Sequence, residues 1–390
     1  MRFVADGWRV LCREVERVAG RRSYLALLVL LPATAILIFA TLFEQPVTDL
    51  PIALLDRDNT PTSRRLASMV DATAGVEVRY TVQSEDQGDC LIRRGESYGL
   101  LIIPEGFERE VLGGGQARIV FGDSGANLTA NGILARDVQS VVQTFSVGTQ
   151  LARMEAQGLD PDEAMAMALP VSFDRHTLFN PWLNYAIYLA PTFMMMMLLI
   201  FAVLATIYAI GSELKEGTAR EWLASAGDSM WVAVVGKLAL PAVVMMAWGV
   251  VSLFVLFVLL GLPMNGSLGL LVLSMAIFIA SYEAVALLFI IMFDDLRVAL
   301  SFGGGYSVLS FSFSGVTFPT MAMYAPIRLA GYLFPFTYYM KIYVDLAVRG
   351  APIGYALDDM AMMMLFWLLP LPLLSRLRKM CCDERYWYKS

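Results

Sequence analysis

The chain has 390 residues, of which 57% are hydrophobic and 16% charged. That balance excludes an ordinary soluble enzyme and points to an integral membrane protein with room for one domain outside the bilayer. The net charge of −6 says little taken whole, because the charged residues are segregated along the chain.

Residues 1–22 carry Arg2, Arg9, Arg13, Arg17, Arg21 and Arg22. Phe3, Val4, Trp8, Val10, Leu11, Val15 and Val18 fall between them near helical spacing. The pattern predicts an amphipathic helix in the cytoplasmic interface with its arginines toward lipid headgroups, or a basic flank that only sets orientation. The apolar run 23–43 is too long for a signal-peptide core and lacks a small-residue cleavage site after it, so it reads as an uncleaved first span. The basic flank places the N-terminus inside and residues 44–180 outside.

The outer segment reads as a mixed α/β domain. Strands are expected at 50–55, 76–82, 98–103 and 117–121, and helices at 60–72, 84–95, 105–112 and 126–157. Cys90 stands alone in it and reads as a small buried thiol, with no disulfide framework. His176 is the single histidine of the chain; one imidazole does not make a metal site, and no phosphate loop accompanies it.

Spans are then expected at 183–210, 231–262, 267–293, 298–316 and 353–374, with Trp182, Tyr185 and Tyr188 as an aromatic belt. The first of these carries the run Met194–Met195–Met196–Met197, which is either lipid-facing filler or an adaptable ligand-contacting wall. Between the first two lies a polar elbow, 211–230, with Glu213, Lys215, Glu216, Arg220 and Glu221. Gly303, Gly304 and Gly305 allow close helix approach or unwinding. Residues 318–349 are apolar but broken by Pro319, Pro326 and Pro335, which fits a re-entrant hairpin better than a span. The basic tail 376–390 is placed inside. The expected fold is therefore an α-helical polytopic membrane protein with six transmembrane helices, re-entrant helices and an extracytoplasmic mixed α/β domain.

Glu283 interrupts the 267–293 span and reads as the one strongly buried acid within a span. Such a group marks a site by default. It either pairs with a basic group, binds a cationic substrate or takes up a proton, or else makes a structural hydrogen bond with a residue such as Ser281 or Tyr282. Arg328, Lys341 and Asp345 either line an outer gate or snorkel to the interface.

Six stretches, in order, resemble the type-2 ATP-binding-cassette exporter permeases, in particular those with a large extracytoplasmic domain between spans one and two. They are LLDRDNTPTSRRLA at 54–67, LIRRGESYGLLIIPEGFEREVLGG at 91–114, FGDSGANLTA at 121–130, ELKEGTAREWL at 213–223, GKLALP at 236–241 and SGVTFPTMAMYAPIRLAGYLFPFTYYMKI at 314–342. The resemblance implies a permease in the bacterial inner membrane with both termini cytoplasmic. It implies a second permease copy or a sister permease, and separate ATPase subunits that carry ATP and Mg. It also implies export of drugs, lipid-like molecules or other amphiphiles, sometimes with a periplasmic adaptor. The elbow residues Glu213, Lys215, Glu216, Gly217, Thr218 and Glu221 match the segment that couples to the ATPase. The chain lacks a phosphate-binding loop of its own; Gly236–Lys237 is followed by Leu238 and has no glycine five residues before it. Catalysis, metal binding and nucleic-acid binding are not expected. An assembly or docking protein, or a channel, is the alternative.

Overall fold

A computed structural model describes residues 2–44, 47–169, 178–180, 184–316 and 318–388. His176 and Trp182 lie outside these. The chain divides into two compact units, one of residues 46–177 and one of residues 1–45 with 178–390.

The helical unit begins with α1 (Arg2–Gly20) and α2 (Arg22–Leu42). Val10, Glu14 and Val18 are buried, while Phe3, Val4, Trp8 and Val15 are exposed. This differs from the expected orientation. Arg13, Arg17 and Arg21 recur every four residues, which puts them on one helical face, and that face turns into the protein instead of toward headgroups.

The second unit holds a four-stranded sheet in the order β2-β1-β3-β4. Its elements run β1 (Leu50–Asp56), α3 (Pro61–Asp71), β2 (Val76–Thr81), α4 (Glu85–Arg93), β3 (Gly99–Ile103), α5 (Phe107–Gly113), β4 (Val120–Asp123), α6 (Leu128–Ala156) and α7 (Pro161–Ala168). β1 pairs in parallel with β2 and β3, and β4 returns antiparallel to β3. Parallel neighbours need crossovers, which α3 and α4 supply. Alternation along β1 sends Ile52 and Leu54 to a core with Leu66, Val70, Leu101 and Leu134. Ala53 and Leu55 go to the opposite face with Leu100. On α4 the buried position is Gly88, where a Cβ would meet Leu100 Cδ1 at 2.7 Å. Cys90, two residues on, is consequently exposed, not buried as its residue type suggests.

The Asp-x-Asp-x-Thr-Pro-x-Ser stretch is a structural knot at the end of β1. Ser63 Oγ donates to Asp56 Oδ2 at 2.6 Å, and the Asp58 and Asn59 amides donate to Asp56 Oδ1 at 3.0 Å each. Asp58 accepts from Thr60 Oγ1 at 2.6 Å and from the amides of Gly106 and Glu108 at 2.8 and 2.9 Å. One carboxylate thus fastens the start of α5 to the start of α3. These bonds hold Asp58 below the ordinary carboxylate range, the Thr60 hydroxyl contributing most.

The helical unit resumes with α8 (Ala186–Glu216), the short α9 (Ala219–Ser225), α10 (Met230–Leu259) and α11 (Leu268–Phe293). It continues with α12 (Leu296–Phe313), α13 (Ala325–Gly331), α14 (Pro335–Tyr343) and α15 (Ile353–Cys382). Tyr185 and Tyr188 of the expected belt meet edge to face, 4.9 Å between ring centroids. Of the methionine run, Met194 and Met195 are buried in the helical core. Among the described residues five helices (α2, α8, α10, α11 and α15) are long and apolar enough to cross a membrane. The sequence led to an expectation of six. The remaining one, α12, forms a continuous helix but is diluted by Gly303, Gly304, Gly305 and four serines.

α8 packs against α10, α11 and α12, and α8 and α11 are the most enclosed of the five long apolar helices. Gly303 is what brings α12 close, since a Cβ there would meet Ile207 Cδ1 at 2.5 Å and Val203 Cγ1 at 2.9 Å.

Candidate functional site

α8 runs six residues past the expected end of its span. It stops at Gly217, in the left-handed region at φ +72°. The Thr218 amide donates to Glu213 O at 2.9 Å and the Gly217 amide to Leu214 O at 3.3 Å. This is the Schellman closure that glycine permits. α9 ends the same way at Gly227, φ +64°, with Asp228 N donating to Leu223 O at 3.1 Å. The elbow is thus a seven-residue helix between two glycine-closed turns. Trp222 and Leu223 fix its inner face, and Trp222 Nε1 donates to Ala233 O at 3.1 Å.

Glu213 is fully buried under this elbow. Arg13 Nη1 lies 2.9 Å from one of its oxygens, Arg17 Nη1 3.1 Å from the other, and Lys237 Nζ 2.7 Å from the first. Lys237 is itself buried, pairs also with Glu14, and stands 5.5 Å from the Trp222 ring centroid. Tyr24 donates its hydroxyl to Glu14 at 2.7 Å. Glu216 pairs with Arg17 at 3.2 Å and with Arg21. Glu221 reaches Arg13 at 3.7 Å. Arg17 donates further to Ser212 Oγ at 3.0 Å and Thr218 Oγ1 at 3.2 Å, and Thr218 donates to Glu213. Four cations (Arg13, Arg17, Arg21 and Lys237) face four carboxylates (Glu14, Glu213, Glu216 and Glu221), so the cluster is charge-balanced.

The elbow's acidic excess is explained by this cluster: its countercharges come from α1 and α10. Glu213 and Glu14 are buried as completely as Glu283, so Glu283 has company as a buried acid, although both of the others lie outside the expected spans. Of the predicted elbow residues, the structure gathers Glu213, Glu216, Thr218 and Glu221 into the network. Lys215 is exposed, as is Arg220. Tyr388 covers Gly217, its amide donating to Leu214 O at 3.2 Å. Sequence reasoning missed Glu14, Lys237 and the role of Arg13 and Arg17. The signals were present: a lysine inside an apolar run, and arginines at spacing four.

Glu283 lies on α11 apart from the elbow. Neither Ser281 nor Tyr282 serves it. Ser281 Oγ lies 2.7 Å from Ile277 O and 2.9 Å from Met363 O, and the Tyr282 hydroxyl accepts from the Phe336 amide at 3.2 Å. Glu283 Oε1 is buried with no hydrogen-bond partner among the described residues.

The three gate candidates do not form one cluster, although Lys341 and Asp345 both lie within electrostatic range of Asp359. Lys341 stands 3.9 Å from Asp359 and over the rings of Tyr332 and Tyr338 at 5.1 and 5.6 Å. Asp345 pairs with Arg349 at 2.9 Å. Arg328 is exposed on α13. Among the described residues no group of three or more histidine, cysteine or acidic side chains is arranged to hold a metal.

Long apolar helices around a polar elbow define a multi-pass membrane protein. The family model for the ABC-2 family transporter proteins matches residues 22–375, and the chain belongs to that family. It is a permease, the membrane component of an ABC transporter, a class that is generally not itself catalytic and whose family implies ATPase partner subunits. No curated protein sequence matches the chain.

Proposed function

We propose that this permease exports amphiphilic molecules, such as drugs or lipid-like compounds, from the cytoplasm or inner membrane. Separate ATPase subunits dock on the elbow and drive it, carrying the ATP and Mg. The observation that carries this reading is the contrast between the two faces of α9. Its inner face is locked by Trp222 and Leu223, while Lys215, Arg220 and Glu221 stand exposed around it. A partner that pushes the outer face moves α1, α8 and α10 together, because the ion cluster ties all three to the elbow. ATP must bind the two conformations differently for the push to shift the population.

In this reading α12 completes six spans, both termini are cytoplasmic, and residues 44–180 form an extracytoplasmic domain open to a periplasmic adaptor. A second permease copy or a sister permease completes the transporter. α2 is mostly unburied within the chain, which leaves that helix a face for lipid or for the second copy.

The test is purification of the tagged chain from its native membranes in mild detergent, with mass spectrometry of its companions. A stoichiometric cassette ATPase is expected, and a chain that comes alone as an intact dimer favours an assembly or channel role. Replacing both Glu216 and Glu221 by Ala is expected to abolish transport with membrane insertion intact, and unchanged transport removes the elbow from the drive.

A further inference from the structure

A cavity of about 180 Å³ opens between α10, α11 and α15. Leu238, Leu287 and Leu374 line it, Trp231 and Trp367 border it, and Glu283 is its one acidic group. Glu283 is 5% exposed, and its Oε1 has no partner among the described residues. Tyr24 lies within electrostatic range of Glu283, but its hydroxyl is already given to Glu14. A lone carboxylate in an apolar wall is costly unless a cation or a proton joins it, and the open, tryptophan-bordered mouth is what favours the cation. The two tryptophans remain 52% and 39% exposed, so their rings are available at the mouth.

We propose that this cavity binds the ammonium head of an amphiphile, with Glu283 as countercharge and Trp231 and Trp367 as aromatic walls. Carboxylate, indole faces and aliphatic floor together match an alkylammonium, which is weakly hydrated and attracted to π faces. The volume sets the size. It resembles a cavity that holds benzene, about 150 Å³, and falls below the roughly 300–1,000 Å³ of sites that enclose a drug-sized molecule. The head group enters, and the apolar remainder stays in the bilayer. Glu283 lies ten residues from the end of α11, so the head sits about 15 Å along the helix from that end. Binding requires neither ATP nor the ATPase, so its outcome is separate from that of the proposed export.

The experiment places the full chain in phosphatidylglycerol nanodiscs, which lack ammonium lipid, and titrates radiolabelled benzyltrimethylammonium. Saturable binding at one site per chain is expected, weakened at least tenfold in Glu283→Gln and several-fold in Trp367→Leu. The neutral carbon isostere, neopentylbenzene, is expected to compete poorly. Should Glu283→Gln not give a monodisperse protein, Glu283→Asp and Trp231→Leu take its place, each expected to weaken binding several-fold. No saturable binding, equal binding by Glu283→Gln, or equal competition by the isostere overturns the proposal. Phosphatidylethanolamine added to the discs separates two sources of the same chemistry: competition assigns the site to a lipid head group, and its absence to a free amine. Both results uphold an ammonium site.

Discussion

At the scale of single residues, Lys237 decides most. Its ammonium is shared between Glu14 and Glu213, both buried with it. Lys237→Met leaves Glu14 with Tyr24 alone, while Glu213 keeps its arginines. Removing one partner of a buried pair costs about 3–5 kcal/mol. The expected outcome is a large drop in the unfolding midpoint of the purified protein, partly reversed when Glu14→Gln is added, since the second change removes the stranded charge. Asp58 tests the other unit. Its folded value is depressed, first by Thr60 and then by backbone amides. Its contribution is therefore fully present above the ordinary aspartate value of about 3.9 and is lost as pH falls through the lower folded value. Hydrogen-exchange protection of the α5 N-terminus, corrected for intrinsic rates, is expected to hold at pH 5 and fall in that acid window; Asp58→Asn is expected to lower it at neutral pH.

At the scale of elements, the glycines of α12 are unequal. Gly303 faces Ile207 and Val203 on α8, whereas a Cβ at Gly304 or Gly305 would meet nothing within 4 Å. Gly303→Leu is expected to overpack this seam and cost about 1–3 kcal/mol, with Gly304→Leu and Gly305→Leu much milder, read from unfolding in detergent. Elements of this kind were largely legible beforehand. The apolar run 50–55, the alternation in 76–82 and the Gly/Pro punctuation of the α/β unit carry their own geometry, so the strands and helices expected there emerge within a few residues. The elbow's position was also visible as polarity between two apolar runs. What the pattern could not carry was pairing at long range. Arg17 and Glu213 are 196 residues apart, and no local period encodes which cation a buried glutamate will meet. Cys90 failed for a related reason: residue type favours burial, but helix phase gave the buried position to Gly88.

At the scale of the whole molecule, the native cysteines provide a test of the proposed orientation. Cys90 is exposed on α4, Cys12 on α1 and Cys382 at the end of α15, while Cys381 is buried. A membrane-impermeant maleimide applied to intact cells is expected to label Cys90 and to spare Cys12 and Cys382 until the cells are opened. Labelling of Cys12 with Cys90 spared inverts the proposed topology.

The ion cluster also bears on biogenesis. Arg13 and Arg17 leave the ribosome long before Glu213, and Lys237 follows later still. At synthesis rates of about 5–20 residues per second, that gap lasts on the order of 10–40 s. During it, the face of α1 that ends up interior has no protein partner of opposite charge from the elbow, and anionic headgroups or water must shield it. The helix can therefore become an internal strut only after the elbow has been made. A truncated chain that ends before residue 213 is expected to lack that strut.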